Sequence, residues 1–285
     1  MKEKSQFYIR LKQSSFLVIG SMLCILVITL SIIAPFITVH DPKMPDLDET
    51  LKPPQYFSKG WSGYVLGTDN LGRDILTRLL IGSRYSFIIA VTAVIFAIFG
   101  GVIIGLYAGY YGGWIDNLFM RFADIQLSIP SLLLAIAIVA VLGPSIINLI
   151  IVLSITSFPR IARLVRGTVS IIRETEFISA SRVLGASDNW IMFSQILPNI
   201  ANSLLILTTQ LFGENILNEA CLSFLGLGVQ PPTPSWGIMI ADGRNYLIVA
   251  PWIIMAPGIA LMITVVAFNF IGDGLRDALD PKMKT

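Results

Sequence analysis

Residues 176–198 read EFISASRVLGASDNWIMFSQILP, a polar and helix-breaking stretch that separates long apolar segments. Glu176 suits the first turn of a helix, where the helix dipole favours a carboxylate. Gly185 suits the left-handed position that ends a helix. A second short helix is predicted from Ser187 onward, and it ends before Pro198. Two short helices hinged at a glycine, outside the lipid, offer a surface that a partner protein can hold.

The composition of the chain is that of a membrane protein. Of its 285 residues, 54% are hydrophobic and 13% are charged, whereas soluble domains carry about a quarter charged residues. The sequence therefore predicts an all-α polytopic membrane protein in a lipid bilayer. The net charge of +2 is too small to indicate a nucleic-acid surface. One histidine and two distant cysteines offer no catalytic set and no metal site, so we expect neither in this chain.

Six segments have the length and apolarity of membrane spans. A helix needs about 20 apolar residues to cross the hydrocarbon core, and the segments that approach this are Phe16–Ile37, Tyr85–Tyr107, Phe119–Leu142, Ile146–Phe158, Ala201–Leu225 and Pro251–Ile271. Lysine and arginine are concentrated at both termini and in the loop 160–199, which places these three regions in the cytoplasm.

The predicted organisation follows from these spans and their orientation. It comprises a cytoplasmic N-terminal segment (1–15), a first transmembrane helix (16–37), an extracytoplasmic loop with an interfacial helix (38–84), a core transmembrane domain (85–272) that includes the loop 160–199, and a cytoplasmic tail (273–285).

The first short helix has a face suited to a partner. Phe177, Ala180, Ser181 and Leu184 follow the i, i+3, i+4, i+7 spacing of one helical face, and the small residues from Ser179 to Ser181 let another surface approach closely. An ordinary amphipathic helix lying on the membrane would show the same spacing. The helix–glycine–helix arrangement favours docking.

Polar residues recur along the fifth predicted span. At about 100° per residue, Asn199 just before the span falls on one stripe with four residues inside it: Ser203, Gln210, Glu214 and Asn218. Polar groups inside a span usually face a cavity or another helix. The stripe therefore indicates either the lining of a hydrated pathway or structural hydrogen bonds between helices. Glu219 lies off the stripe and favours the structural interpretation.

Three other features carry structural expectations. Gly101, Gly105 and Gly109 form a small-residue ridge of the kind that packs helices closely. Trp236 suits a membrane interface. Residues 67–74 read GTDNLGRD, which lacks the Lys and the Ser/Thr of a phosphate-binding loop. We expect an interfacial turn and helix there instead.

The stretch around Gly185 resembles the EAA motif of binding-protein-dependent ABC importer permeases, which reads Glu-Ala-Ala, three residues, Gly, nine residues, Ile-x-Leu-Pro. Ser179-Ala180-Ser181 occupies the first three positions, and Gly185 and Leu197-Pro198 match. Ser179 replaces the acidic residue, and Gln195 stands where the motif has isoleucine. The resemblance implies that an ATPase couples to this loop through Glu176, Phe177, Ser179, Ala180, Ser181, Leu184, Gly185 and Ala186.

Residues 66–84, 219–237 and 269–281 extend the resemblance to the dipeptide, oligopeptide and nickel branch, with a DppC/OppC-type subunit. This implies a type I ABC importer permease fold in a bacterial or archaeal cytoplasmic membrane. The implied partners are a DppB/OppB-type permease, two ABC ATPases that bind ATP and magnesium, and an extracytoplasmic solute-binding protein. Cargo stays open between peptides, glutathione-like compounds, nickel and metal chelates. A membrane scaffold and an ion-coupled secondary transporter are competing classes, although the latter usually contains an internal repeat that this sequence does not show.

Overall fold

The computed structural model describes residues 14–55 and 63–279. Five helices are long and apolar enough to span a membrane, and a bent pair brings the number of candidate spans to six. Within the described residues there is no β-strand beyond one isolated bridge, so the prediction of an all-α polytopic protein is confirmed. Residues 1–13 and 280–285 lie outside the described residues. Part of the predicted orientation depends on the lysines and arginines in these two segments. The helices are α1 (Ser15–Ile37), α2 (Ile75–Tyr111), α3 (Gly113–Ser128), α4 (Ser131–Leu142), α5 (Ile146–Ile172), α6 (Glu176–Val183), α7 (Asp188–Phe224), α8 (Trp236–Gly243) and α9 (Trp252–Leu279).

The centre of the bundle is the pair α2 and α5, whose backbones approach closely along the glycine ridge. A Cβ atom added at Gly105 would lie 2.6 Å from the Cβ of Val165, and one at Gly101 would lie 2.7 Å from the Cβ of Ile161. Ile161 and Val165 are fully buried or nearly so. The small-residue ridge therefore packs helices, as expected.

Helix α2 begins ten residues before the predicted second span. Asp74 caps its first turn, since its carboxylate accepts a hydrogen bond from the Thr77 backbone N–H at 2.8 Å. The first turns of α2 thus occupy part of the predicted extracytoplasmic loop, which also contains a short 3₁₀ helix at Leu47–Glu49.

Helix α5 runs through Pro159 to Ile172, well beyond the predicted end at Phe158. A proline inside a helix leaves the carbonyl four residues earlier without its donor. That carbonyl belongs to Ile155, and the side-chain amide of Gln126 on α3 donates to it. The helix continues because a distant side chain replaces the missing hydrogen bond.

The third predicted span is not one straight helix. It divides into α3 and α4, which meet at an angle of 95°. The bend falls at Ile129–Pro130, where the proline excludes a helical conformation for the residue before it; Ile129 has φ −99° and ψ 130°.

The predicted second short helix does not end before Pro198. Its residues continue into the fifth span, and together they form α7. Residues Ile191–Ile196 adopt a π-helical turn, in which the Leu197 N–H bonds to the carbonyl of Met192, five residues earlier. A proline ring clashes with the carbonyl four residues before it in a regular α-helix, and the wider turn immediately before Pro198 accommodates the ring.

The loop before α2 is fixed by a buried ion cluster rather than by a phosphate. Asp69 accepts hydrogen bonds from the backbone N–H groups of Leu71 and Arg73 and binds the Arg73 Nε at 2.7 Å. Arg78 lies 3.4 Å from both Asp69 and Asp242. Burial raises the pKa of the Asp242 carboxyl, and the two guanidinium groups oppose that rise. The cluster joins the loop to α2 and α8.

The Trp236 side chain does not contact lipid headgroups as an interfacial anchor, contrary to the prediction, because it is packed inside the protein. Its side chain is 1% exposed, and its indole N–H donates to the carbonyl of Leu79 at 3.0 Å. The residue holds α8 against α2, which no local pattern in the sequence indicates.

Candidate functional site: a coupling surface and a polar helix face

Helix α6 and the turn after it have the geometry that the sequence predicts. Thr175 occupies the N-cap position and Glu176 lies in the first turn. Gly185 has φ +86°, and its N–H and that of Ala186 bond to the carbonyls of Arg182 and Ser181. This pair of bonds is the glycine-terminated helix end known as the Schellman motif. A side chain at position 185 would meet no atom within 4 Å, so the positive φ alone favours glycine there.

The outer face of α6 exposes large apolar side chains. Val183 and Leu184 are 88% and 87% exposed, and Phe177 is 46% exposed. Ile178 points the other way and is completely buried. An eight-residue helix is too short to cross a membrane, and large apolar side chains this exposed at its end indicate an interaction site. We call Phe177, Val183 and Leu184 the coupling surface.

The coupling surface is held to the bundle by polar contacts on both sides of α6. Arg173 donates to the carbonyls of Gly109 and Tyr110, both at 3.1 Å, at the end of α2. The Tyr110 hydroxyl donates to Asp188 at 2.6 Å and accepts from the Arg182 Nε at 3.3 Å. These contacts fix α6 and the segments beside it to the end of α2 and to the start of α7.

A second link joins α6 directly to α7. The Gln195 side-chain amide donates to the Ser181 hydroxyl at 2.8 Å. Both positions depart from the motif noted above, which has alanine and isoleucine there. The two departures contact each other, so a hydrogen bond replaces what would otherwise be an apolar contact.

The predicted coupling residues lie together, although they do not all face outward. Glu176, Phe177, Ser179, Ala180, Leu184 and Gly185 are exposed, whereas Ser181 and Ala186 are half-buried. Val183, Tyr110 and Arg173 were not predicted. The exposure of Val183 follows from the orientation of α6 on the bundle. Tyr110 belongs to α2, far from α6 in sequence, and Arg173 precedes the first residue of α6.

The polar residues of α7 that the sequence singled out divide into an accessible stripe and the buried Glu219. Ser203 and Gln210 are exposed, and Glu214 and Asn218 are half-exposed. Glu219 is completely buried and accepts hydrogen bonds from the Ser86 and Ser223 hydroxyls, both at 2.8 Å. The four stripe residues share an accessible face, whereas Glu219 joins helices.

Glu214 has a charged partner that the sequence did not indicate. Arg160 on α5 donates to its carboxylate. Two further arginines on α5 continue this pattern at intervals of three residues: Arg163 pairs with Asp124 and Arg166 with Asp116, both on α3. One ion pair thus connects the accessible face of α7 to α5, and two further ion pairs connect α5 to α3.

Comparison with known proteins identifies relatives over almost the full chain. Residues 101–285 match a family described as the binding-protein-dependent transport system inner membrane component. The chain is 43% identical to the di/tripeptide transport system permease protein DppC of Pseudomonas aeruginosa, over 93% of this chain and 88% of that protein. It is 42% identical to the glutathione transport system permease protein GsiD of Escherichia coli, over 98% of this chain and 90% of that protein.

A solved structure has a similar fold. It is the MetNI methionine ABC transporter in an inward-facing conformation, which matches with a TM-score of 0.55 and 21% identity over 71% of this chain and 96% of the matched chain. At this identity the likeness concerns the fold alone. It agrees with the type I permease fold that the sequence resemblance implied.

Proposed function

This chain belongs to the family of binding-protein-dependent transport system inner membrane components, and from that membership we propose that it forms half of a pathway for peptides. It is a multi-pass permease subunit of an ABC importer, and ATP hydrolysis resides in a separate subunit. The proposed partners are a second, DppB/OppB-type permease, two ABC ATPases that bind ATP and magnesium, and an extracytoplasmic solute-binding protein. In a bacterial cytoplasmic membrane, both termini and α6 would face the cytoplasm.

The observation that carries this proposal is the exposure of the coupling surface. Val183 and Leu184 project from a short helix that is fixed to α2 and α7. Burying such side chains against a partner stabilises a complex by about 1.5–3 kcal/mol for each fully covered residue. Closure of the ATPases would then move α6, and the fixed contacts would move the ends of α2 and α7. The contacts at α6 must differ between the two states of the transporter for ATP to shift their populations.

The test is co-purification of the ATPases with Leu184→Asp. We expect this variant to retain the second permease and to lose the ATPases, because a carboxylate would be desolvated at the centre of the interface. Leu47→Asp is the matched control, since Leu47 is 72% exposed at the opposite end of the bundle. Retention of the ATPases by Leu184→Asp at the level of the control would refute the docking role.

A peptide cargo is supported by the relatives, which are named for dipeptide, di/tripeptide and glutathione transport. These names favour peptides over nickel or metal chelates, and family membership does not favour an ion-coupled secondary transporter. Identification of the ligand that co-purifies with the partner solute-binding protein tests the cargo. A metal chelate as the sole ligand would contradict it.

For the pathway, we propose that Ser203, Gln210, Glu214 and Asn218 line the surface that the cargo passes. Their shared accessible face supports this role. Glu214→Gln alone also leaves Arg160 without its partner. A change in uptake by this variant could therefore come from a lost contact with the cargo or from the unpaired Arg160. The variant Arg160→Gln/Glu214→Gln removes both charges. If Glu214 contacts the peptide amino group, uptake stays impaired in the double variant. If uptake returns to the wild-type rate, Glu214 serves only to neutralise Arg160.

A further inference from the structure

A cleft of about 480 Å³ opens between four helices in the half of the bundle where α1 ends. This volume lies within the range of about 300–1,000 Å³ that is usual for ligand sites. The cleft is apolar except at Arg84 and Ser31, and its walls come from α1, α2, α7 and α9. The apolar residues that line it are Ile28, Ile32, Phe87, Ile88, Val91, Phe212 and Phe268.

Arg84 stands at the entrance to this cleft and is the residue that makes it chemically specific. It shares one face of α2 with Phe87, Ile88 and Val91, at i, i+3, i+4 and i+7. It immediately precedes the apolar run that starts at Tyr85. With the predicted span starting at Tyr85, Arg84 belongs to the headgroup region, beside the apolar groove.

Within residues 14–55 and 63–279, Arg84 has no hydrogen-bond or ion-pair partner, although its side chain is exposed. Other arginines of α2 and α5 are paired, as with Arg78 and Asp69 or Arg160 and Glu214. An exposed guanidinium beside apolar walls is free to pair with an anion from outside the chain. The phosphate of a lipid headgroup supplies the negative charge that would pair with it.

The cleft lies away from the polar face of α7. Phe212 is two residues from both Gln210 and Glu214, and a rotation of about 100° per residue places it about 160° from either. The groove therefore lies on the opposite side of α7 from the polar stripe. Ile32 and Ile88, which line it, are 64% and 55% exposed.

We propose that this cleft binds a phospholipid, with the lipid phosphate on Arg84 and an acyl chain between α1 and α2. The charge of Arg84 selects the phosphate, and the apolar walls select the chain. With the orientation proposed above, the lipid belongs to the outer leaflet. The lipid joins α1, which contacts the rest of the bundle from outside, to the pair α2 and α9.

The experiment is native mass spectrometry of the assembled transporter released from detergent micelles, with added palmitoyl-oleoyl-phosphatidylglycerol. Arg84→Gln should weaken the tightest lipid site about tenfold, the effect of one charge-assisted contact, whereas Arg84→Lys should retain most of the binding. Arg244→Gln removes the same charge at another exposed position and should leave binding unchanged. Palmitoyl-oleoyl-glycerol, which lacks the phosphate, should bind as weakly to the wild type as phosphatidylglycerol does to Arg84→Gln. Inorganic phosphate should not displace the lipid.

The acyl chain is tested by filling the groove. Ile88→Trp should reduce binding, and Ile95→Trp is the matched control, because Ile95 lies on the same face of α2, is 57% exposed and does not line the cleft. Equal lipid binding by Arg84→Gln and Arg244→Gln would overturn the proposal. So would a disulfide between Ile88→Cys and a cysteine of the second permease, because that subunit would then occupy the cleft. Either failure leaves ATPase binding to the coupling surface untouched.

Discussion

Replacing Gly105 with alanine would place a methyl group in the closest contact between α2 and α5. The new Cβ would lie 2.6 Å from the Cβ of Val165 and 2.7 Å from the carbonyl oxygen of Ala162. Ordinary contact begins at 3.4 Å, so the helices would have to separate by about 0.8 Å, which is 3.4 minus 2.6. Neither atom is the end of a flexible side chain that can rotate away. Overpacking of this kind costs about 1–3 kcal/mol.

Gly100 on the same helix provides the control. An added Cβ there meets nothing within 4 Å, and alanine is favoured over glycine in a helix by about 0.5–1 kcal/mol. The same substitution should therefore have opposite signs: Gly105→Ala lowers the free energy of unfolding, and Gly100→Ala leaves it unchanged or raises it. The assay is unfolding by SDS in dodecyl maltoside micelles, followed by tryptophan fluorescence. Equal midpoints for the two variants would show that the glycine ridge does not fix the α2–α5 contact.

Four further substitutions test three contacts that the structure revealed. Gln126→Leu should lower the free energy of unfolding by about 0.5–1.5 kcal/mol, because the carbonyl released by the proline in α5 then loses its donor. Ser181→Ala and Gln195→Ala should each reduce peptide-stimulated ATP hydrolysis in proteoliposomes, and the double variant should be no worse than either, because both remove one hydrogen bond. Asp69→Asn should cost about 3–5 kcal/mol, since it leaves Arg78 and Arg73 buried with an incomplete set of counter-charges.

Two of these substitutions have a control in which the same residue type is changed at a position without the contact. Gln210→Leu makes the same change as Gln126→Leu at an exposed position of α7, and Asp48→Asn does so for Asp69→Asn in the same loop. Both references should unfold like the wild type. Additive losses in the Ser181 and Gln195 cycle would mean that the two residues act independently. A wild-type midpoint for Asp69→Asn would mean that the ion cluster does not stabilise the loop.

Some features of this protein follow from residues that are close in sequence. The apolar segments predict membrane helices because hydrocarbon thickness fixes the length of a span. Gly185 predicts the end of α6 because a left-handed residue excludes most side chains. The small residues at 101, 105 and 109 predict close helix packing because they repeat every four positions. The motif around Gly185, together with three further stretches, indicated the family, which the relatives confirm.

Other features were decided by residues that are distant in sequence. The apolar part of the fourth segment ends at Phe158, and the helix continues past Pro159 because Gln126, 33 positions earlier, supplies the missing donor. Glu214 looked unpaired on its own helix, and Arg160 neutralises it from another. Trp236 looked interfacial and is buried. The sequence by itself determined which segments enter the membrane, because that choice depends on local apolarity. Only the tertiary structure decided how prolines, charges and indoles are satisfied, because each of those groups is stabilised by a partner that local spacing cannot identify.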